Sequence, residues 1–260
     1  MDGTVTGFRL GTTSYIIPAD ILHNVRFLAN RVQDVELVLF EVDEGTSSLP
    51  SCEAVRELGR LAEKHGLTYT VHLPLDLRLG EGGSAGHRSL EKALQVVERC
   101  RPLDPWAYVV HLDGKGVTNY GAWQNQAVRA LQIAASWVGD PALLAVENLE
   151  GYPLDFNEPV LDRVPVSRCI DVGHLWVDGH DPLPYMQRTL ERARVVHLHG
   201  IGSRDHQSLA HVKPDELRSV MGALEQGGFE GVLTLEVFNR KDFEISIHAI
   251  QEFVGSWIAG

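Results

Sequence analysis

Eight short apolar runs, rich in Val, Leu and Ile and without clean alternation, punctuate the chain. They lie at Phe8–Thr12, Val35–Val42, Thr68–Leu73, Tyr108–Leu112, Leu143–Glu147, Val166–Val172, Arg194–His199 and Val232–Val237. Runs apolar on both faces are the pattern of strands covered on both sides, as in a parallel sheet. Between them lie amphipathic stretches with helical spacing near 19–32, 51–65, 87–100, 120–138, 182–192, 214–227 and 241–258, and a shorter one near 157–163. Local signals place some helix ends. Ser51 precedes the second helix, Gly66 follows it after Lys64 and His65, and Pro214, Asp215 and Glu216 form a first turn. Strand and helix alternating eight times predict a parallel α/β sheet, and eight units favour closure into a (β/α)8 TIM barrel as one domain over residues 1–260.

The polar residues that interrupt this pattern recur at the ends of the strands. TVHLP carries His72, VVHLDG His111, LLAVENLE Glu147, CIDVGH Asp171 and His174, VVHLHG His197 and His199, and TLEVF Glu236. In a barrel the C-terminal strand ends converge on one rim, where the active site is built. Carboxylates gathered there cost several kcal/mol each unless a cation compensates them. No strand end supplies the Lys or Arg for a salt bridge, so the pattern predicts a metal site. Mixed imidazole and carboxylate ligands suit Zn, Mn, Fe or Co rather than Ca. The candidate ligands are His72, His111, Glu147, Asp171, His174, His197, Asp205, His206 and Glu236, with His211 in the same SRDHQSLAH loop. Their number exceeds one coordination sphere and predicts two or three divalent transition metal ions per chain. Glu147 and Glu236 are the candidate catalytic carboxylates. Ser14, Tyr15, Glu41, Asn148, Trp176 and His199 are the candidate substrate contacts. Trp123 reads as core.

Composition narrows the partners. Acidic residues outnumber basic ones 35 to 23, a net charge of −12 with no basic cluster, which argues against a nucleic-acid partner. No apolar run approaches the roughly 18 residues of a membrane span, and the start lacks a secretory pattern. Three scattered cysteines, Cys52, Cys100 and Cys169, read as reduced core thiols. Together these features predict a cytoplasmic protein acting on a small molecule. Gly80, Gly82 and Ala85 satisfy a relaxed dinucleotide pattern, but in the third unit and several residues past the strand, so the stretch 79–89 reads as a loop over the rim. There is no Walker loop and no nucleophile–base pair for acyl transfer. Metal-assisted hydrolysis and metal-assisted proton transfer remain.

At these residues the sequence resembles the xylose-isomerase-like barrels, which include sugar-phosphate isomerases and epimerases and the second family of abasic-site endonucleases. The resemblance implies that Glu147, Asp171, His197 and Glu236 hold one divalent ion, as in the epimerases. It also implies that His72, His111, His174 and the Asp205/His206 pair resemble the additional ligands of the endonucleases, though here Asp205 and His206 are adjacent where the endonucleases carry DxH. A narrower resemblance runs through GTTSYIIPADILHNVRFLA (11–29), DVELVLFE (34–41), HLHG (197–200) and DHQSL (205–209). These strings are similar to the cobamide-remodelling phosphodiesterases of bacteria. The implied activity is hydrolysis of the nucleotide-loop phosphodiester of a cobamide, giving an α-riboside and cobinamide phosphate. The alternative is a sugar or sugar-phosphate isomerase or epimerase, so the small-molecule partner is a corrinoid or a sugar phosphate.

Overall fold

Eight parallel strands close on themselves in the computed structural model, which describes residues 7–39, 42–43, 46–75, 77–79 and 87–254. The barrel strands are β1 (Arg9–Thr13), β2 (Asp34–Val38), β5 (Thr68–His72), β6 (Ala107–Val110), β7 (Leu144–Glu147), β8 (Ser167–Asp171), β9 (Ala193–Leu198) and β10 (Val232–Leu235). Each pairs with its sequence neighbour in the barrel, and β1 meets β10 to complete the ring. A two-stranded antiparallel ribbon, β3 (Val42–Asp43) and β4 (Thr46–Ser47), stands outside it. The expected run Val35–Val42 is therefore split: β2 stops at Val38, and Val42 belongs to the ribbon.

The covering helices are α1 (Ile21–Leu28), α2 (Cys52–His65), α3 (Arg88–Cys100), α4 (Tyr120–Val138), α5 (Glu158–Leu161), α6 (Val172–Val177), α7 (Pro182–Thr189), α8 (Pro214–Gln226) and α9 (Arg240–Val254). α2 shows why the sequence signals worked. The Ser51 side chain accepts from the Ala54 amide at its start, and Gly66 ends it at φ 67°, a left-handed conformation open to glycine. Val55, Leu58 and Leu61 form its buried face, each worth roughly 1.5–3 kcal/mol when removed from water. α6 has no counterpart among the expected helices: the turn expected after the sixth barrel strand winds into a short helix capped by the Asp171 side chain.

Among the described residues the barrel has two apolar regions. The larger packs helices onto the outside of the sheet. The smaller fills the inside with Ala107, Val109, Ala145, Cys169 and Val195 above Trp106. These small residues plug one end and leave the polar layer above them at the C-terminal strand ends. Cys100 and Cys169 are buried free thiols as expected, whereas Cys52 is exposed. Among the described residues no helix is long and apolar enough to cross a membrane. Gly80, Gly82 and Ala85 lie outside the described residues.

Candidate metal centre

Strand parity builds the site. In β2, Asp34, Glu36 and Val38 point inward, and the paired register carries that face across to Thr70 and His72 of β5. On the far wall Asp171 of β8 is in register with His197 of β9, and Glu147 of β7 is in register with Cys169 of β8. Glu147, Asp171, His197 and Glu236 therefore converge, all buried, with one ligand atom of each within 4.8 Å of the others.

Among the described residues three further groups share members with the first, one of them including Cys169. His72 and His111 bring their Nε2 atoms to 3.2 and 3.0 Å from Oε2 of Glu147. The other oxygen, Oε1, faces Nδ1 of His174 at 3.5 Å and Nδ1 of His197 at 3.6 Å. Asp171 behaves likewise. Its Oδ1 faces Nε2 of His199 at 3.4 Å, and its Oδ2 faces His174 and His197 at 3.4 and 3.7 Å. Asp171, His174, His199 and His206 make the third group. His206 also approaches Oε2 of Glu236 at 3.2 Å. It reaches this position through a backbone φ of 50° and the hydrogen bond its amide donates to Nδ1 of His199.

The electrostatics describe a site short of positive charge. Burial disfavours charge on every member, yet contacts with His111 and His197 hold the Glu147 carboxyl well below its usual range. His197 and His206 do the same for Glu236. Against burial, Asp171, Glu147 and Glu236 push His174 up to about 9, and Glu236 pushes His206 up to about 9. Protons on imidazoles thus carry the charge that the carboxylates demand. Oδ2 of Asp171, Nδ1 of His197, Nε2 of His199 and Oε2 of Glu236 are buried without a hydrogen-bond partner. Orphaned buried atoms of this kind are costly unless something binds them. Their convergence and their chemistry fit a divalent transition metal. Cys169 lies within ligand distance of Glu147 and His197, although the sequence placed no thiol at the rim. Burial pushes that thiol far above its usual range, which makes it a poor donor.

Above the groups opens a cavity of about 430 Å³, with apolar Leu75, Leu149 and Phe238 at its walls and Lys115 and Asp205 beside the histidines. A larger depression of about 930 Å³ lies at the opposite end of the barrel around Trp106, Arg192 and Phe229, away from all of these groups. Asp205 pairs with Nδ1 of His206 at 3.1 Å but joins none of the ligand groups, and neither does His211. His199, read from the sequence as a substrate contact, stands inside the third group. Ser14 is buried and its hydroxyl accepts from the Val38 amide, tying β1 to β2. Asn148 exchanges two hydrogen bonds with the Asp171 backbone and accepts from Nδ1 of His174 through its carbonyl, so it holds the rim rather than facing the cavity. Tyr15 and Trp176 are not among the residues lining the cavity; Trp176 packs half-buried against the core, and Trp123 is core as expected. Glu41 lies outside the described residues.

Sequence reasoning passed over Glu36, fully buried with Oε2 at 2.9 Å from Nε2 of His197. The signal was a carboxylate in the middle of the apolar run DVELVLF, hidden by attention to strand ends. Asp113 and Tyr152 were also missed. Tyr152 donates to Asp113, which Arg78 meets at 3.0 Å, and together they brace the rim beyond His111.

The family model described as xylose isomerase-like TIM barrel matches residues 32–254. Among solved structures, a D-tagatose 3-epimerase-like protein is 16% identical with a TM-score of 0.77, covering 95% of this chain and 97% of that one. The 3-keto-D-glucoside 4-epimerase of E. coli is 14% identical with a TM-score of 0.72, covering 97% and 99%. Endonuclease IV from Thermus thermophilus is 20% identical with a TM-score of 0.65, covering 94% and 99%. Identities this low carry the fold alone. Further neighbours bear the names of sugar epimerases and a sugar phosphate isomerase/epimerase, which stands nearer to the epimerase expectation than to the phosphodiesterase one. No curated protein sequence matches the chain.

Proposed function

We propose, from the premise that this chain belongs to the xylose isomerase-like TIM barrel family, that it is a metal-dependent phosphodiesterase of more than one ion. One observation carries the reading. Glu147 turns Oε2 to His72 and His111 and Oε1 to His197, and Asp171 turns Oδ1 to His199 and Oδ2 to His197, so each faces two ligand groups. Carboxylates placed between ligand groups would serve more than one ion, and His72, His111, His174, His199 and His206 exceed the needs of one ion.

Ions of the Zn, Mn, Fe or Co type, when bound, lower the pKa of water toward about 7 and offset charge developing on phosphate oxygens. The chain's own groups do the rest. The Leu73 carbonyl holds the His72 ring through Nδ1, and Asn148 fixes the Asp171 backbone, so these ligands need little reorganisation. The attacking water gives up a proton as its oxygen bonds to phosphorus, with Glu236 Oε2, beside His197 and His206, as the first acceptor and the departing ester oxygen as the last. Water adds to phosphorus, the ester oxygen leaves as an alcohol, and a phosphomonoester and an alcohol result. Leu75, Leu149 and Phe238 offer an apolar wall to a large substrate. The strings at 11–29, 34–41, 197–200 and 205–209 support a cobamide as that substrate, cut into cobinamide phosphate and an α-riboside.

The second reading is a sugar or sugar-phosphate epimerase, favoured by the names of the neighbours and by the sufficiency of Glu147, Asp171, His197 and Glu236 for one ion. Incubation of the metal-loaded protein with an adenosylated cobamide separates the two. Release of riboside is expected; no release, together with epimerisation of a ketose, overturns the hydrolase reading.

A further inference from the structure

We propose that Glu36 is a positioning residue that sets the protonation pattern of His197, and through it the affinity of the metal centre. This rests on reading Glu147, Asp171, His197 and Glu236 as a metal centre, but not on which reaction the centre serves.

Glu36 sits on β2, across the barrel from His197, and neither side chain touches solvent. Its Oε2 lies 2.9 Å from Nε2 of His197. The opposite ring nitrogen, Nδ1, faces Oε2 of Glu236 at 3.3 Å, Oε1 of Glu147 at 3.6 Å and Oδ2 of Asp171 at 3.7 Å, with no hydrogen-bond partner of its own. A neutral imidazole carries one proton, and a ligand nitrogen must be the bare one. A carboxylate accepting from Nε2–H leaves the lone pair on Nδ1, turned toward the three other carboxylates. It also makes the ring a better donor to a cation.

The surroundings leave Glu36 no competing task. Its register neighbours are Thr13 of β1 and Thr70 of β5. Its second oxygen, Oε1, has no partner, and neither does the Thr70 hydroxyl. No Lys or Arg approaches it among the contacts of the described residues. A carboxylate fully desolvated against one imidazole is costly unless that imidazole does something in return. Holding His197 for a cation supplies the reason for its place in the middle of an apolar strand.

The test compares the wild-type protein with E36L and E36Q. Glutamine can still accept from Nε2–H through its carbonyl but lacks the charge; leucine can do neither. Melting temperature and circular dichroism of the metal-free proteins report folding. Chelator competition gives the metal dissociation constant, and the visible spectrum of the cobalt-substituted protein reports the coordination around His197. The expectation is a weakening of roughly 10–100-fold in E36L with an altered cobalt spectrum, and a smaller weakening of about tenfold in E36Q with the wild-type spectrum retained. A purely structural Glu36 would lower the melting temperature of E36L while leaving the dissociation constant and spectrum of the folded protein unchanged, and that result overturns the proposal. Where E36L fails to fold, E36Q decides alone: a weakening of about threefold or more supports the proposal and less overturns it. Failure of the wild-type protein to bind any divalent ion would instead overturn the metal centre itself.

Discussion

His206 lies face to face on His199, their ring centroids 4.2 Å apart and their planes 14° from parallel. One ring comes from just past the end of β9 and the other from the loop that follows, and both turn toward Asp171. This stack builds the third ligand group from a loop, and the loop residue holds its place through the backbone bond to His199.

Replacing His199 by alanine removes both a ligand and the acceptor for the His206 amide. H199A should keep its fold, lose one ion per chain relative to wild type, and fall at least about 10-fold in rate. Metal analysis of the dialysed variant reads the ion count directly; an unchanged count and rate would remove His199 from the centre.

Gly173 gives an independent approach to the same group. A Cβ at this position would lie 2.1 Å from Nε2 of His199, so G173A must drive that ring away. Gly173 is itself no ligand. The expected outcome is the H199A phenotype, with Glu147, His72 and His111 still holding metal. A G173A protein with wild-type metal content would show that the His199 ring does not bind.

Metal uptake should depend on pH through His174 and His206, each pushed up to about 9 by neighbouring carboxylates in the absence of metal. Below that value both rings hold protons that a metal must displace. Apparent affinity therefore rises with pH from neutrality to about 9 and levels off above it. Calorimetric titration in two buffers of different ionisation enthalpy should reveal proton release at pH 7. Equal heats in both buffers would contradict the assignment.

Asp34 makes a prediction about stability at the other end of β2. Burial pushes its carboxyl up to about 6, although hydrogen bonds from Thr68 and Thr70 oppose the shift. A folded pKa above the unfolded value of 3.8 gives stability that is full below pH 4 and is lost as pH rises through 6. The loss amounts to about 3 kcal/mol by pH 8. D34N can keep both contacts and carries no charge, so between pH 4 and 6 the urea midpoint of the wild type should fall relative to that of D34N. Parallel curves would refute the shift.

The barrel and the four-residue group were legible because each rests on a periodic signal. Apolar runs bounded by helical stretches fix the strands, and a strand end is where parallel strands deliver polar side chains to one rim. Glu36 was not legible for the same reason in reverse, since it lies mid-strand, where the pattern reads as core. The end of β2 was misplaced because LVLFEV continues the apolar run past Val38, where the strand ends. Ser14 and Asn148 looked like substrate contacts from their place after strands. Ser14 Oγ accepts from the Val38 amide and Asn148 bonds the Asp171 backbone, ties that only tertiary geometry reveals. His199 shares strand parity with His197, but its tie to His206 depends on a loop turn at φ 50° that no periodicity encodes.

The number of divalent ions held per chain tests the central claim most directly. Loaded wild-type protein, freed of loosely bound metal, should carry two or three ions by elemental analysis, and E147Q, which alters the carboxylate facing both His72/His111 and His174/His197, should lose more than one of them. One ion in the wild type, retained in E147Q, would contradict the shared-carboxylate centre and the hydrolase reading built on it.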